Sequence, residues 1–142
     1  MITRSGSAVW KGDLLSGDGT LSMESGILKD TPYNFKSRFE QGKETNPEEL
    51  MGAAHAACFS MALANGLSKA GYKVISVETT DKVHLEKLES GFTITKIDVI
   101  TQAKVEGIDK VTFDKIAEET KVNCPVSKAL VGPMLILTAT LL

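Results

Sequence analysis

Between Asn46 and Gly71 the chain carries a long stretch suited to a helix, whose middle, AAHAACFSMALA, is dense in small residues on every side. Asn46 is a good N-cap, Pro47 suits the first helical position, and Glu49 falls three residues after the cap, as in a capping box. From Leu50 to Ala70 the only interruptions are Gly52 and Gly66, which a helix tolerates, and Gly71 offers a C-terminal stop. Little of this surface suits solvent. The pattern predicts a central, buried helix that other backbone approaches closely.

The remaining segments arrange themselves around it. Before it, Ala8-Val9-Trp10 and Thr20-Leu21-Ser22-Met23 read as short strands separated by the Ser16-Gly17-Asp18-Gly19 turn. Tyr33 to Phe39 alternates so that Lys36 and Arg38 oppose the aromatics, which predicts a third strand. After the helix, residues 74–105 are rich in Val, Ile and Thr and are split by Ser90-Gly91, giving two long strands. Thr112 to Val122 places Phe113, Ile116, Ala117 and Thr120 on one helical face. Asn123-Cys124-Pro125 ends that helix, because proline disfavours helical geometry in the residue before it. Pro125 can open a short helix to Leu130, and Met134 to Leu142 reads as a final, buried strand. The expectation is an α+β fold in a single domain over residues 1–142, with neither repeat nor linker to divide it.

With 142 residues the chain is long enough for a core without staples. Its net charge of −2 comes from acids and bases that are interspersed, which leaves no basic footprint for nucleic acid. No apolar run is expected to approach the ~20 residues of a membrane span, and the first residues do not resemble a signal peptide. The expected compartment is the cytoplasm, where structural disulfides are rare. A cysteine pair there is either inert core or chemistry.

Cys58 lies in the middle of the long helix. Alone it reads as a small core hydrophobe before it reads as a reactive thiol. Cys124 stands at a helix start, with Pro125 in the first turn, where amide N–H groups favour a thiolate. Two cysteines and two histidines at these spacings suggest no metal site. His55 precedes Cys58 by three residues and shares its helix face, as a Cys–His acyl hydrolase would require. The sequence offers no clear third group to orient His55, which favours a hydrogen-bonded packing role, and His84 reads as an ordinary strand residue. Arg38 alone reads as a solvated surface residue. Glu48 and Glu49 are favourable charges at a helix start, and since Glu49 is the capping partner, Glu48 is left for another task.

The segments FKSRFE, TNPEELMGAAHAACFSMAL and NCPVSKAL, in this order, resemble the OsmC/Ohr family of bacterial organic hydroperoxide peroxidases, and its OsmC branch most. The likeness runs from AVWKGDLLSGDGTLS to the last strand. It implies Cys58 as the peroxidatic thiol, Cys124 as the resolving thiol, Arg38 as the site arginine and Glu48 as the site glutamate. It further implies an intertwined homodimer with sites at its interface, and recycling by a dithiol such as a dihydrolipoyl protein.

The implied chemistry suits these residue types. An arginine beside Cys58 favours its thiolate and can position the peroxide; Glu48 would hold the guanidinium by paired hydrogen bonds. Attack releases an alcohol and leaves a sulfenic acid, which Cys124 converts to a disulfide that an external dithiol reopens. Small apolar surroundings suit an organic hydroperoxide, and no metal, haem, flavin or nicotinamide is required. Two rivals use the same residues: a slow redox sensor or binding module with the same pair, and the Cys–His hydrolase. Helix geometry adds a constraint. Glu48 and Cys58 are ten residues apart, or about 15 Å and roughly 80° on one straight helix, so they do not line one compact site from one chain. The expectation is that the partner chain supplies Glu48; a kinked helix is the rival explanation.

Overall fold

The structure, a computed structural model, describes every residue except Val131 and Pro133, and the side chains of all but those two, Met134 and Leu135. The chain forms two compact units, Met1–Leu50 and Met51–Leu142.

In the first unit, β1 (Gly6–Lys11), β2 (Asp18–Met23) and β3 (Thr31–Asn34) form an antiparallel sheet in the order β1-β2-β3. Register runs from Gly6↔Met23 to Lys11↔Asp18 in the first pair. Gly19 has a steric purpose: a Cβ there would come within 2.6 Å of the Tyr33 ring. Without one, Tyr33 lies across the strand and packs on Trp10, ring centroids 5.4 Å apart.

The third strand stops earlier than its alternation suggested. Phe35–Phe39 is a helix, α1, so Arg38 stands on a helix and not on a strand. The reason is local: the Asn34 side chain accepts from the Ser37 amide, and the Ser37 hydroxyl accepts from the Asn34 amide. This reciprocal cap satisfies two backbone donors that extended chain would have to satisfy elsewhere. The turn brings Phe35 and Phe39 together at 4.9 Å, an i,i+4 pair. Ser37 Oγ also donates to the Thr45 carbonyl and Asn46 Nδ2 donates to the Ser37 carbonyl, which ties α1 to the start of the next helix.

That helix, α2, runs from Pro47 to Lys69. Its start is capped as expected, Asn46 Oδ1 accepting from the Glu49 amide at 2.9 Å. The Glu49 carboxylate, however, accepts from the Thr45 hydroxyl. Gly71 follows the helix with φ +91°, a left-handed stop that glycine adopts without strain.

In the second unit, β4 (Lys73–Leu88) and β5 (Gly91–Glu106) form a long antiparallel hairpin, and β6 (Met134–Leu141) joins β5 in parallel. A parallel neighbour needs a crossover. The helices α3 (Lys110–Asn123) and α4 (Pro125–Ala129) supply it. Alternate β5 residues Ile97, Val99, Thr101, Ala103 and Val105 are buried, the period of a strand with one face on the core. Against them pack Phe59, Leu63 and Leu67 of α2 and Phe113 and Ala117 of α3. Each large side chain so enclosed contributes about 1.5–3 kcal/mol. Hydroxyls of Ser60, Thr79 and Thr101 bond in sequence at 2.8 and 2.9 Å, linking α2 to both long strands.

Three expectations need correction. Within the second unit helix α2 buries one stripe only, Gly52, His55, Phe59, Leu63 and Leu67, while Ala53, Ala57 and Met61 on another face are exposed. Strand β6 is not buried throughout; from Ile136 onward it alternates between exposed and half-buried, as an edge strand does. By length and composition alone α2 matches a membrane span, contrary to the reading of the apolar runs. Of that apolar window 28% is buried, as the stripe that faces the core of the second unit.

Candidate active site

The four expected site residues form two pairs, one in each unit. In the first, the capped turn of α1 carries Arg38 and the ties to Thr45 and Asn46 hold the beginning of α2 close to it. Arg38 Nη2 donates to Glu48 Oε1 at 2.9 Å, and Nε to the same oxygen at 3.1 Å. Glu48 is buried and Arg38 partly exposed, so the carboxylate fixes the guanidinium while leaving some of its donors free. The Arg38 plane also lies 5.2 Å from the Phe39 ring centre, a cation–π contact. Arg38 borders a cavity of about 290 Å³, otherwise walled mainly by Trp10, Leu14, Tyr33, Phe35 and Phe39. It is an apolar recess with one cation in its wall.

The second pair is the two cysteines, 66 positions apart in sequence and 2.8 Å apart at sulfur. Both are free thiols, Cys58 half-buried on α2 and Cys124 fully buried. Cys124 owes its place to Pro125. With φ −55° and ψ 129° it leaves helical geometry, closing α3 through its amide to the Thr120 carbonyl and opening α4.

The surroundings separate the two thiols. Burial raises Cys58, the hydrogen bond with Cys124 raises it further, and the Val126 amide offsets only part. Burial also opposes ionisation of Cys124, but the Cys58 thiol, the amide and hydroxyl of Ser127 and the amide of Val126 outweigh it and lower its pKa. Within this chain the surroundings favour ionisation of the buried Cys124 over that of Cys58.

His55 is oriented, contrary to the sequence reading. Its Nδ1 bonds Asp81 Oδ2 and its Nε2 meets Ser127 Oγ at 2.8 Å, with His55 and Ser127 buried and the Asp81 side chain enclosed. Ser127 follows Cys124 by three residues, a spacing visible in the sequence. Asp81, 26 residues from His55 on a strand of alternating character, gave no such signal. His84 pairs with Asp98 at 2.7 Å at the edge of solvent.

A family model described as OsmC-like protein matches residues 40–137, which include Glu48 and both cysteines. The chain belongs to the OsmC-like protein family. Peroxiredoxin OsmC of Escherichia coli is 53% identical over 129 residues, 91% of this chain and 90% of that one. Organic hydroperoxide resistance protein OhrA of Bacillus subtilis is 33% identical, over 86% of this chain and 82% of its own length. Among solved structures, an OsmC-like protein from Mycoplasma pneumoniae superposes with a TM-score of 0.77, covering 99% of this chain and 98% of its own. At 11% identity that likeness concerns the fold alone, the α+β arrangement read from the sequence.

Proposed function

We propose that this OsmC-like protein is a cysteine-based peroxidase that reduces organic hydroperoxides to alcohols. The observation that carries the reading is the sulfur pair: a reachable Cys58 beside an enclosed Cys124 at 2.8 Å. A small shift turns that contact into a disulfide bond of about 2.05 Å. The identity to Peroxiredoxin OsmC supports it independently.

In the first step Cys58 gives its proton to solvent and attacks the peroxide oxygen as the thiolate. The O–O bond breaks, the alkoxide is protonated to alcohol, and Cys58 becomes a sulfenic acid. Arg38 stabilises the Cys58 thiolate and positions the peroxide, held by Glu48. The aromatic recess beside Arg38 takes the organic group, which favours organic hydroperoxides over hydrogen peroxide. Cys124 then displaces hydroxide from Cys58, and a dithiol, of which a dihydrolipoyl protein is one, reopens the disulfide. The protein works as a homodimer, and the exposed Ala53, Ala57 and Met61 face of α2 supplies the small apolar surface such contact needs.

The Cys–His hydrolase is disfavoured because both nitrogens of His55 are engaged away from Cys58. Intact mass after one equivalent of cumene hydroperoxide tests the proposal. The expected result is loss of two hydrogens mapped to Cys58–Cys124; two unmodified thiols would refute it. Sustained consumption of the peroxide with a dithiol separates an enzyme from a sensor.

Arg38→Met is expected to raise the Cys58 pKa further and slow peroxide attack, with the fold retained. Thiolate absorbance in the ultraviolet follows the titration. An unchanged pKa with an unchanged rate would return Arg38 to the surface.

A further inference from the structure

Three buried side chains that the peroxidase reading leaves unused lead to the resolving sulfur. Asp81 on β4 and His55 on α2 have fully enclosed side chains, and Asp81 Oδ2 bonds His55 Nδ1. Across the ring, His55 Nε2 meets Ser127 Oγ of α4 at 2.8 Å. Ser127 stands three residues after Cys124 in the first turn of α4, where its hydroxyl helps to hold the Cys124 pKa down, and the Cys124 sulfur contacts Cys58. A line of buried polar groups therefore runs from the Asp81 carboxylate to the first turn of the helix that Cys124 caps.

Packing alone accounts poorly for it. A carboxylate away from water is costly unless paired, yet Asp81 Oδ1 is buried without a partner among the described residues. That leaves His55 as the group positioned to offset the charge. Between Asp81 and Cys124 stand an imidazole and a hydroxyl, the two side-chain types that can exchange donor and acceptor roles at once.

We propose that Ser127, His55 and Asp81 form a proton relay that deprotonates Cys124 for its attack on oxidised Cys58. The inference rests on the disulfide cycle proposed above. Cys124 Sγ–H gives its proton to Ser127 Oγ while the Ser127 hydroxyl proton passes to His55 Nε2. The imidazolium so formed lies against the Asp81 carboxylate. The Cys124 electron pair forms the S–S bond, the Cys58 S–O bond breaks, and hydroxide leaves, taking a proton from solvent to become water. In reduction, one dithiol sulfur attacks Cys58 and displaces Cys124, which takes the proton back from His55 through Ser127. The second dithiol sulfur then displaces Cys58. Of the two dithiol protons, one goes to Cys58 and one returns to solvent, so the cycle balances. In this relay Ser127 exchanges the proton with the reacting sulfur, and His55 and Asp81 act through it as positioning residues.

A single-turnover experiment with one equivalent of cumene hydroperoxide separates the steps. Rapid quenching with dimedone measures the Cys58 sulfenic acid by intact mass, and the disulfide is read from the same samples. In Ser127→Ala the ratio of the disulfide-forming rate to the sulfenic-acid-forming rate is expected to fall at least about tenfold, with sulfenic acid accumulating. Ser127→Thr, which keeps the hydroxyl, is expected to recover most of the ratio. Asp81→Asn keeps the shape and removes the charge, and is expected to behave like Ser127→Ala. Circular dichroism establishes that each variant is folded, and Asp81→Asn serves if Ser127→Ala is not. A wild-type ratio in a folded Ser127→Ala or Asp81→Asn protein overturns the relay, as does a parallel loss of both steps. No sulfenic acid or disulfide in the wild-type protein would instead refute the peroxidase reading.

Discussion

Replacing Cys58 with serine is expected to reduce hydroperoxide turnover to the uncatalysed background. A serine hydroxyl is hardly ionised at neutral pH and is far less nucleophilic than a thiolate. Cys124 cannot take over, because its side chain is fully buried and no peroxide reaches it. Cys124→Ser should behave differently. Cys58 still reacts once, but nothing condenses with its sulfenic acid, so cycling with a dithiol stops. Excess peroxide then carries Cys58 to the sulfinic acid, which mass spectrometry detects. The first variant thus loses the initial burst, and the second keeps a burst and loses the steady state. A Cys124→Ser protein with full steady-state activity would rule out the two-cysteine cycle. Activity remaining in Cys58→Ser would move the nucleophile elsewhere.

The parts of this site that could be read in advance are those set by short-range backbone chemistry. Asn46, Pro47 and Gly71 mark the ends of α2 within a residue or two, because caps and left-handed stops act locally. Pro125 likewise announces the break that sets Cys124 between two helices. Arg38 stands on a helix where the sequence pattern predicts a strand, for a physical reason. Tyr33, Phe35, Ser37 and Phe39 alternate as a strand would, but in a five-residue helix the Asn34–Ser37 cap outweighs a pattern so short. The exposed face of α2 escaped notice because small residues fit a buried position and a solvent-facing one almost equally well. Asp81 was out of reach altogether: its partnership with His55 depends on how β4 lies against α2, a contact that forms only when the second unit closes around its core.

Two inactive variants are expected to restore activity to each other when combined in one dimer. Glu48 and Cys58 both belong to α2, ten residues apart, so helix geometry separates them by about 15 Å and roughly 80°. Arg38 travels with Glu48, since the two are joined by hydrogen bonds of 2.9 and 3.1 Å. If Arg38 serves the reacting sulfur, the pair then reaches Cys58 of the partner chain, as a two-fold arrangement allows. A Glu48→Ala chain and a Cys58→Ser chain, each inactive by itself, form a mixed dimer with two unlike sites. One site combines the intact Cys58 of the first chain with the intact Glu48 of the second. The other combines the two lesions. Up to half the wild-type activity per dimer should return on mixing, in proportion to the mixed species separated by differently tagged chains. If Glu48 instead serves its own chain through a bent helix, every site keeps one lesion and mixing restores nothing. Combining Arg38→Met with Cys58→Ser should give the same half-recovery, because Arg38 and Glu48 act as one unit. Recovery with Glu48→Ala but not with Arg38→Met would mean that the two residues serve different sites.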